Sequence, residues 1–410
     1  MNEKILEKID SYLDYAVRLQ TRFTAIPAID PANGGTGEYK KTLAVEDEIK
    51  QLRPDELIHI DAPQKEAEGG VRPNLAVKFY GKNRAKTLWI MAHTDVVGTG
   101  DRAMWKTDPF TVVREGNKIY GRGVEDNQQG LVSGILAAKA VRDENITPPV
   151  NLGLFINADE ETGSGYGADY VIKTRPELFG KDDLIIIPDG GLADGSMIEV
   201  AEKSIIWAKF TVTGKQAHAS RPSDAVSAVR AANELSVLLD KNLHKKFPAQ
   251  DPLYDPPGST FEPTKREANV ESINIVPGKD VFCFDCRILP SYNIADVKKE
   301  FDKAAREIEK KRGVKVTVEY AQELAAPKPT DPDGELVNLI KTAAKAIYKV
   351  DAKPMGIGGG TVAAYFREKG YQAAVYSKLD ESAHQYNEYC ILDNLLGDAK
   401  VILHCLLNTK

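Results

Sequence analysis

The chain has 410 residues, with 54 Lys and Arg against 60 Asp and Glu for a formal net charge of −6, and is 42% hydrophobic and 28% charged. This is ordinary globular composition at a length that suits two cores rather than one, and a mildly acidic balance without a Lys/Arg run excludes the electrostatic footprint of a nucleic-acid binder. No stretch approaches the roughly 18 apolar residues of a membrane span, and residues 1–24 hold no continuous apolar signal-type run, so the expectation is a soluble, cytoplasmic protein with no membrane partner.

Ile5, Ile9, Leu13, Ala16 and Val17 form a helical stripe that ends before Ile26-Pro27. Short β-rich apolar runs then alternate with helical periodicity: 87–92 as strand, 131–141 as helix, 151–158 and 184–187 as strands. That alternation predicts an α/β fold with a mainly parallel sheet flanked by helices. From about residue 204 the pattern changes. Residues 205–213 read as strand, 223–240 as helix, 271–276 and 281–289 as strands around the turn Pro277-Gly278-Lys279-Asp280, 297–308 as helix and 314–320 as strand. Strand-helix-strand-strand-helix-strand is the order of a ferredoxin-like sandwich. The Pro-rich 251–263 reads as a loop and 326–334 as a return linker, because 334–348 (helix) and 373–377 (strand) resume the first pattern. The expected domains are therefore a larger one of residues 1–203 and 321–410, interrupted by a smaller one of residues 204–320.

Four cysteines, Cys283, Cys286, Cys390 and Cys405, are too few for a disulfide framework. Cys283 and Cys286 make a C-x-x-C pair, but neighbours three apart on a strand face opposite ways, which argues against a redox or metal role.

Open α/β sheets bind ligands beyond the carboxyl ends of their strands. There the sequence places His93-Thr94-Asp95, Asp159-Glu160-Glu161 and Asp189; Gly121-Arg122-Gly123-Val124-Glu125-Asp126 leads into the helix near Gln128, and His384 stands in Ser382–Tyr389. Singly, each has a plain reading: a histidine satisfied in the core, a solvated acidic turn, a glycine turn. Together, like charges at one crevice repel, and buried carboxylates are costly unless paired or bound to a cation. Imidazole and carboxylate ligands without thiolates suit zinc, with manganese or cobalt as alternatives, and the inventory is enough for two ions roughly 3.5–4 Å apart sharing one carboxylate. His93 and Asp95, two apart at a strand end, can face one side, with Asp95 orienting the imidazole. Glu160 and Glu161 diverge, so that one can bind metal while the other moves protons.

These motifs, in this order, resemble the zinc metallopeptidase and deacylase family that includes carboxypeptidase G, acetylornithine deacetylase, succinyl-diaminopimelate desuccinylase and carnosinase-type dipeptidases. The resemblance rests on Met91–Asp95, Gly121–Asp126, Asp159–Ser164, Pro188-Asp189, Gly214–Ser220, Asn274–Gly278 with Arg287, and His384–Glu388. It implies that His93 and Asp189 bind one zinc, Glu161 and His384 the other, and Asp126 both, with a cis peptide at Asp126–Asn127. It implies further that Glu160 is the general acid/base, that Asp95 supports His93, and that His218 polarises the substrate carbonyl across a homodimer, the larger domain being catalytic and the smaller one both lid and dimer interface.

Along 281–289, Phe282, Phe284, Cys286 and Ile288 share one face, leaving Asp285 and Arg287 on the other. Arg287 can fork onto a carboxylate or pair with Asp285. With the resemblance, Arg287 and Asn274 look like a clamp for a substrate's free carboxylate, assisted by backbone N–H groups of 356–361, including Gly359, Gly360 and Thr361. His59, His244 and His404 carry no motif. In this resemblance the first zinc's third ligand is glutamate in the desuccinylases but aspartate in the dipeptidase-like members, as at Asp189, and Asp126–Gly130 is similar to a dipeptidase run. The expected activity is hydrolysis of an amide bond beside a free carboxylate in an N-acyl amino acid or short peptide, with a carnosinase-type dipeptidase as alternative. A non-hydrolytic metal or solute binder on the same fold is the competing class.

Overall fold

The computed structural model describes residues 2–410. It divides into two compact units, one of residues 1–200, 330–354 and 365–410 and one of residues 201–329 and 355–364. The amino-terminal stripe folds as Asn2–Lys8, a 3-10 turn Ile9–Tyr12 and Leu13–Thr24, with Ile5, Ile9, Ala16, Leu19 and Phe23 buried. The large sheet has the order Glu56–Pro63, Val71–Phe79, Val150–Asn157, Asn83–His93, Leu184–Gly191, Gln372–Ser377, Met197–Glu202, Lys353–Ile357. Its central four strands run parallel, and antiparallel pairing begins on both sides of them. Val150–Asn157 is buried at every position, as a strand covered on both faces must be. The helix Gln128–Asp143 is buried along most of its length and packs against Leu392–Asn408. A Cβ on Gly130 would lie 2.5 Å from the Pro188 carbonyl oxygen, so glycine lets this helix begin directly on the strand end that carries Asp189.

In the second unit a four-stranded antiparallel sheet has the order Thr260–Arg266, Lys279–Ile288, Ser204–Thr213, Lys315–Leu324. The helices Ala228–Lys246 and Ile294–Arg312 cover one of its faces, and Phe210, Phe282, Phe284 and Phe301 form the centre of the core between them. This is the ferredoxin-like order, but its second strand is not the expected 271–276. That segment is mostly exposed, Ile273 fully so, and pairs only through Ile275–Val276 with Ala217–His218. The strand is Thr260–Arg266, partly within the expected loop. Its Pro263 is tolerated because the strand lies at a sheet edge, beside an irregularity in register.

The segment 355–364, whose first residues end the last strand of the large sheet, groups with the second unit rather than with the first and makes further bonds there. Gly356 N–H donates to the Leu253 carbonyl at 2.6 Å, Lys203 N–H to the Ile357 carbonyl at 3.0 Å, and Thr361 Oγ1 to Glu202 at 2.6 Å. The strand Lys315–Leu324 likewise carries that unit on to residue 329, past the expected boundary at 320. Among the described residues no helix is long and apolar enough to cross a membrane, and all four cysteines are free, Cys283 half-buried and Cys286 buried on opposite faces of their strand.

Candidate metal centre

Five strand ends, turns and loops of the first unit converge on one cluster. His93 closes the strand Asn83–His93, and its Nε2 lies 3.0 Å from Asp126 Oδ1 and 3.6 Å from Asp189 Oδ1. His384 Nε2 lies 3.0 Å from the other Asp126 oxygen and 3.0 Å from Glu161 Oε2. Two sets of three donors therefore share Asp126: His93, Asp126 and Asp189, and Asp126, Glu161 and His384. Tetrahedral zinc with bonds of ~2.0–2.1 Å needs donor atoms ~3.3 Å apart. The separations of 3.0–3.6 Å match that spacing, and oxygen and imidazole donors without thiolates fit two divalent ions.

The supports of these ligands are as specific as the ligands. His93 Nδ1 is 3.1 Å from the Asp95 carbonyl and 3.3 Å from its carboxylate, which fixes the ring so that Nε2 faces the cluster. The Asp95 carboxylate also accepts the N–H groups of Glu160 (3.2 Å) and Glu161 (3.0 Å), so one side chain aligns His93 and the acidic turn together. Asn127 Nδ2 donates to Asp189 Oδ1 at 2.6 Å and to the Pro188 carbonyl at 2.7 Å. The Asp126–Asn127 peptide is cis.

Two further carboxylates cross-link the loops. Glu125 accepts from Asp380 N (2.9 Å), Ser382 N (2.5 Å) and Ser382 Oγ (2.7 Å), holding the loop that presents His384. Glu388, on the far side of His384, reaches back to accept from Arg122 Nη1 (2.7 Å), Gly123 N (3.0 Å), Glu125 N (3.0 Å) and Asp126 N (3.1 Å). Each loop thus carries the acid that orders the other. Glu125, Glu388, Arg122 and Asn127 all stand within the sequence motifs, but these roles depend on partners in distant segments, which spacing does not reveal.

The electrostatics follow from crowding. Burial, and then the charge of Asp189, push the Glu160 carboxyl well above its usual range. Burial raises Asp189 to about 6 against the pull of His93. Burial also works against protonated His93, but Asp189 and Asp126 outweigh it and raise its pKa well above the ordinary value. The hydrogen bonds to Asp126 and Glu161 raise His384 to about 10. Burial and then Asp126 lift Glu388 to about 7 despite Arg122. Without cations, the cluster retains protons on its histidines and on Glu160.

The remaining sequence candidates all lie in the second unit. His218 is exposed, with Nδ1 2.8 Å from Ser220 Oγ, and the Ala219 N–H donates to the Asn274 carbonyl. Arg287 is held in a fork by Asp285 (2.7 and 3.0 Å), the pairing left open above, and its Nη1 donates to the Gly358 carbonyl at 2.9 Å. The glycine loop meets this arginine through a carbonyl oxygen, and the helix after it, Ala363–Glu368, is short. His59 pairs with Glu46 and His244 bonds the Asp240 carbonyl within its own helix.

Residues 89–408 match Peptidase family M20/M25/M40. An uncharacterized metallohydrolase of Methanococcus maripaludis is 38% identical, over 97% of this chain and 99% of its own length. A succinyl-diaminopimelate desuccinylase of Nitratiruptor sp. is 26% identical, over 78% of this chain and 83% of its own. Among solved structures, that of human carnosine dipeptidase 1 is similar in fold, with a TM-score of 0.73 and 18% identity over 99% of this chain and 98% of that one.

Proposed function

We propose, given that the chain belongs to Peptidase family M20/M25/M40 and is a metal-dependent hydrolase, that it cleaves an amide bond adjacent to a free carboxylate in an N-acyl amino acid or short peptide. The observation that carries this reading is the pairing of Glu160 with Glu161 on one turn. Glu161 joins the second donor set, while Glu160, whose carboxyl is pushed up by burial and by Asp189, stays outside both sets and is suited to take and return a proton.

His93, Asp189, Asp126, Glu161 and His384 would hold two divalent ions, with zinc favoured and cobalt or manganese as alternatives. Bound there, the ions supply Lewis acidity toward the carbonyl and a water that ionises near neutral pH. Glu160 accepts the proton of the attacking water at its carboxylate and hands it to the departing amine. Asp95 keeps His93 in the orientation and tautomer that ligation needs. His218, from the partner copy of a homodimer formed through the second unit, donates to the developing oxyanion. Arg287, with Asn274 and the loop around Gly359, Gly360 and Thr361, receives the substrate's free carboxylate. A cytoplasmic location is supported by the unpaired cysteines.

Asp189 favours a second reading, a carnosinase-type dipeptidase, because the resemblance places glutamate there in the desuccinylases. Release of free amine from dipeptides, N-acetyl and N-succinyl amino acids by zinc- and cobalt-loaded protein separates the two, and activity confined to dipeptides would overturn deacylation. Glu160→Gln should keep its metal content and lose turnover; strong residual activity removes Glu160 from the mechanism.

A further inference from the structure

Bonded to the acidic turn through Asp159 lies a second cluster of charge that the chemistry above does not use. Arg72 is fully buried in the strand Val71–Phe79. Its Nε donates to Glu38 Oε2 at 2.5 Å and its Nη2 to the other Glu38 oxygen; Nη1 donates to Asp30 Oδ2 at 2.5 Å and to Gln64 Oε1 at 3.0 Å, and lies 3.5 Å from Asp159 Oδ1. Three buried carboxylates on one guanidinium make an expensive arrangement. A core that needed only packing would fill this space with apolar side chains.

What the cluster grips is the turn itself. Asp159 sits in the left-handed region at φ 62°, immediately before Glu160, and its N–H donates to Glu38 Oε1 at 3.2 Å. Its carboxylate accepts the Tyr166 N–H at 2.8 Å and the Thr162 hydroxyl, and that hydroxyl also lies 3.1 Å from Asp30 Oδ2. Two residues along the same strand face, Asn74 accepts the Ala158 N–H at 3.1 Å and donates to the Tyr166 carbonyl at 2.9 Å. Both ends of residues 158–166 are therefore tied to one strand through Arg72 and Asn74, while Asp95 holds the middle through two N–H groups.

We propose that Arg72 is a positioning residue for the hydrolytic centre: by bridging Glu38, Asp30 and Asp159 it fixes the turn that aims Glu160 at the reacting water and Glu161 at the second ion. The role of Glu160 rests on the function proposed above; the role of Glu161 is read separately, through metal affinity.

Arg72→Lys keeps the cation but loses the planar fork. Because a small misplacement of a reacting group can cost on the order of 100-fold in rate, kcat should fall about 10- to 100-fold with KM little changed. Affinity at the second site should weaken about 10-fold, as for loss of a ligand's outer support, read by chelator competition with cobalt in the absence of substrate. Thr162→Val, which removes the hydroxyl between Asp30 and Asp159 at similar volume, should move both readouts the same way and decides the matter if Arg72→Lys does not fold. If the folded variants lose thermal stability but keep kcat and both metal affinities within about twofold, the cluster only supports the fold and the proposal is overturned. If the wild type hydrolyses none of the substrates, the proposed function fails, and an unchanged cobalt affinity would still refute the positioning of Glu161 on its own.

Discussion

Replacement of Glu388 by glutamine is the sharpest test of how the metal ligands are held. One oxygen accepts from Arg122 Nη1 and Gly123 N, the other from Glu125 N and Asp126 N, at 2.7–3.1 Å. Glutamine has the same shape but one acceptor oxygen, so either orientation turns an NH2 group toward two donors. Facing Arg122 is the worse choice, since it leaves a buried guanidinium unpaired, and Arg122 already has an Nε without a partner among the described residues. The amide should therefore face Glu125 and Asp126, leaving two buried N–H groups unmet at about 1–3 kcal/mol each, for a total of about 2–6 kcal/mol. Because one lost bond belongs to the backbone of the shared ligand Asp126, affinity for both ions should fall about 10- to 100-fold. Equilibrium urea unfolding of chelator-treated protein gives the first quantity and chelator competition the second. A destabilisation below about 1 kcal/mol with unchanged metal affinity would show that Glu388 is not the tie between the two loops.

Asp126→Asn should reduce binding of both ions, whereas His384→Ala should spare the set of His93, Asp126 and Asp189; metal analysis after dialysis distinguishes the two, and equal losses would refute the shared ligand. Metal affinity should rise steeply with pH between 6 and 9. His384, raised to about 10, and His93, also raised, are protonated in the metal-free state and must lose those protons to bind. By the same sign, the stability that His384 lends the metal-free protein is full below its unfolded pKa of about 6.5 and is lost as pH rises through about 10; calorimetric proton release and a pH series of unfolding curves check both. In the second unit Phe210 stacks on Phe282 at 5.0 Å and meets Phe301 at 5.4 Å, so Phe210→Ala should destabilise by about 3–5 kcal/mol in denaturant titration, and a loss below about 1 kcal/mol would contradict the packing.

Most of the donor cluster is legible in the sequence because its residues stand where sheet topology puts ligands; His384, on a loop well past the strand Gln372–Ser377, is marked only by the family resemblance. His93 and Asp189 lie at or near the ends of apolar strands, Glu160 and Glu161 just beyond one, and Asp126 before a buried helix, so apolar runs in the sequence pointed to each. Arg72, Glu38 and Glu388 left no such trace. Their burial is made tolerable by charged partners 34 to 266 positions away, and in the sequence each reads as a surface charge. The misplaced strand has the same kind of cause. Residues 271–276 alternate apolar and polar as a strand should, yet Ile273 is wholly exposed. Thr260–Arg266 carries Pro263 and charged residues because a sheet edge asks little of it.

The coexistence of so many acids in one place has a single electrostatic resolution. Asp95, Asp126, Glu160, Glu161, Asp189 and Glu388 each raise the proton affinity of a neighbour in this cluster or have their own raised by one, and among the described residues the one arginine bonded to any of them, Arg122, is committed to Glu388. Proton sharing can neutralise only part of that charge, and it does so by protonating the imidazoles that the ligand geometry aims at the cluster. Divalent ions remove the repulsion without occupying the nitrogen lone pairs with protons. Ions held there would therefore also leave Glu160 free to exchange its proton, the role proposed for it above.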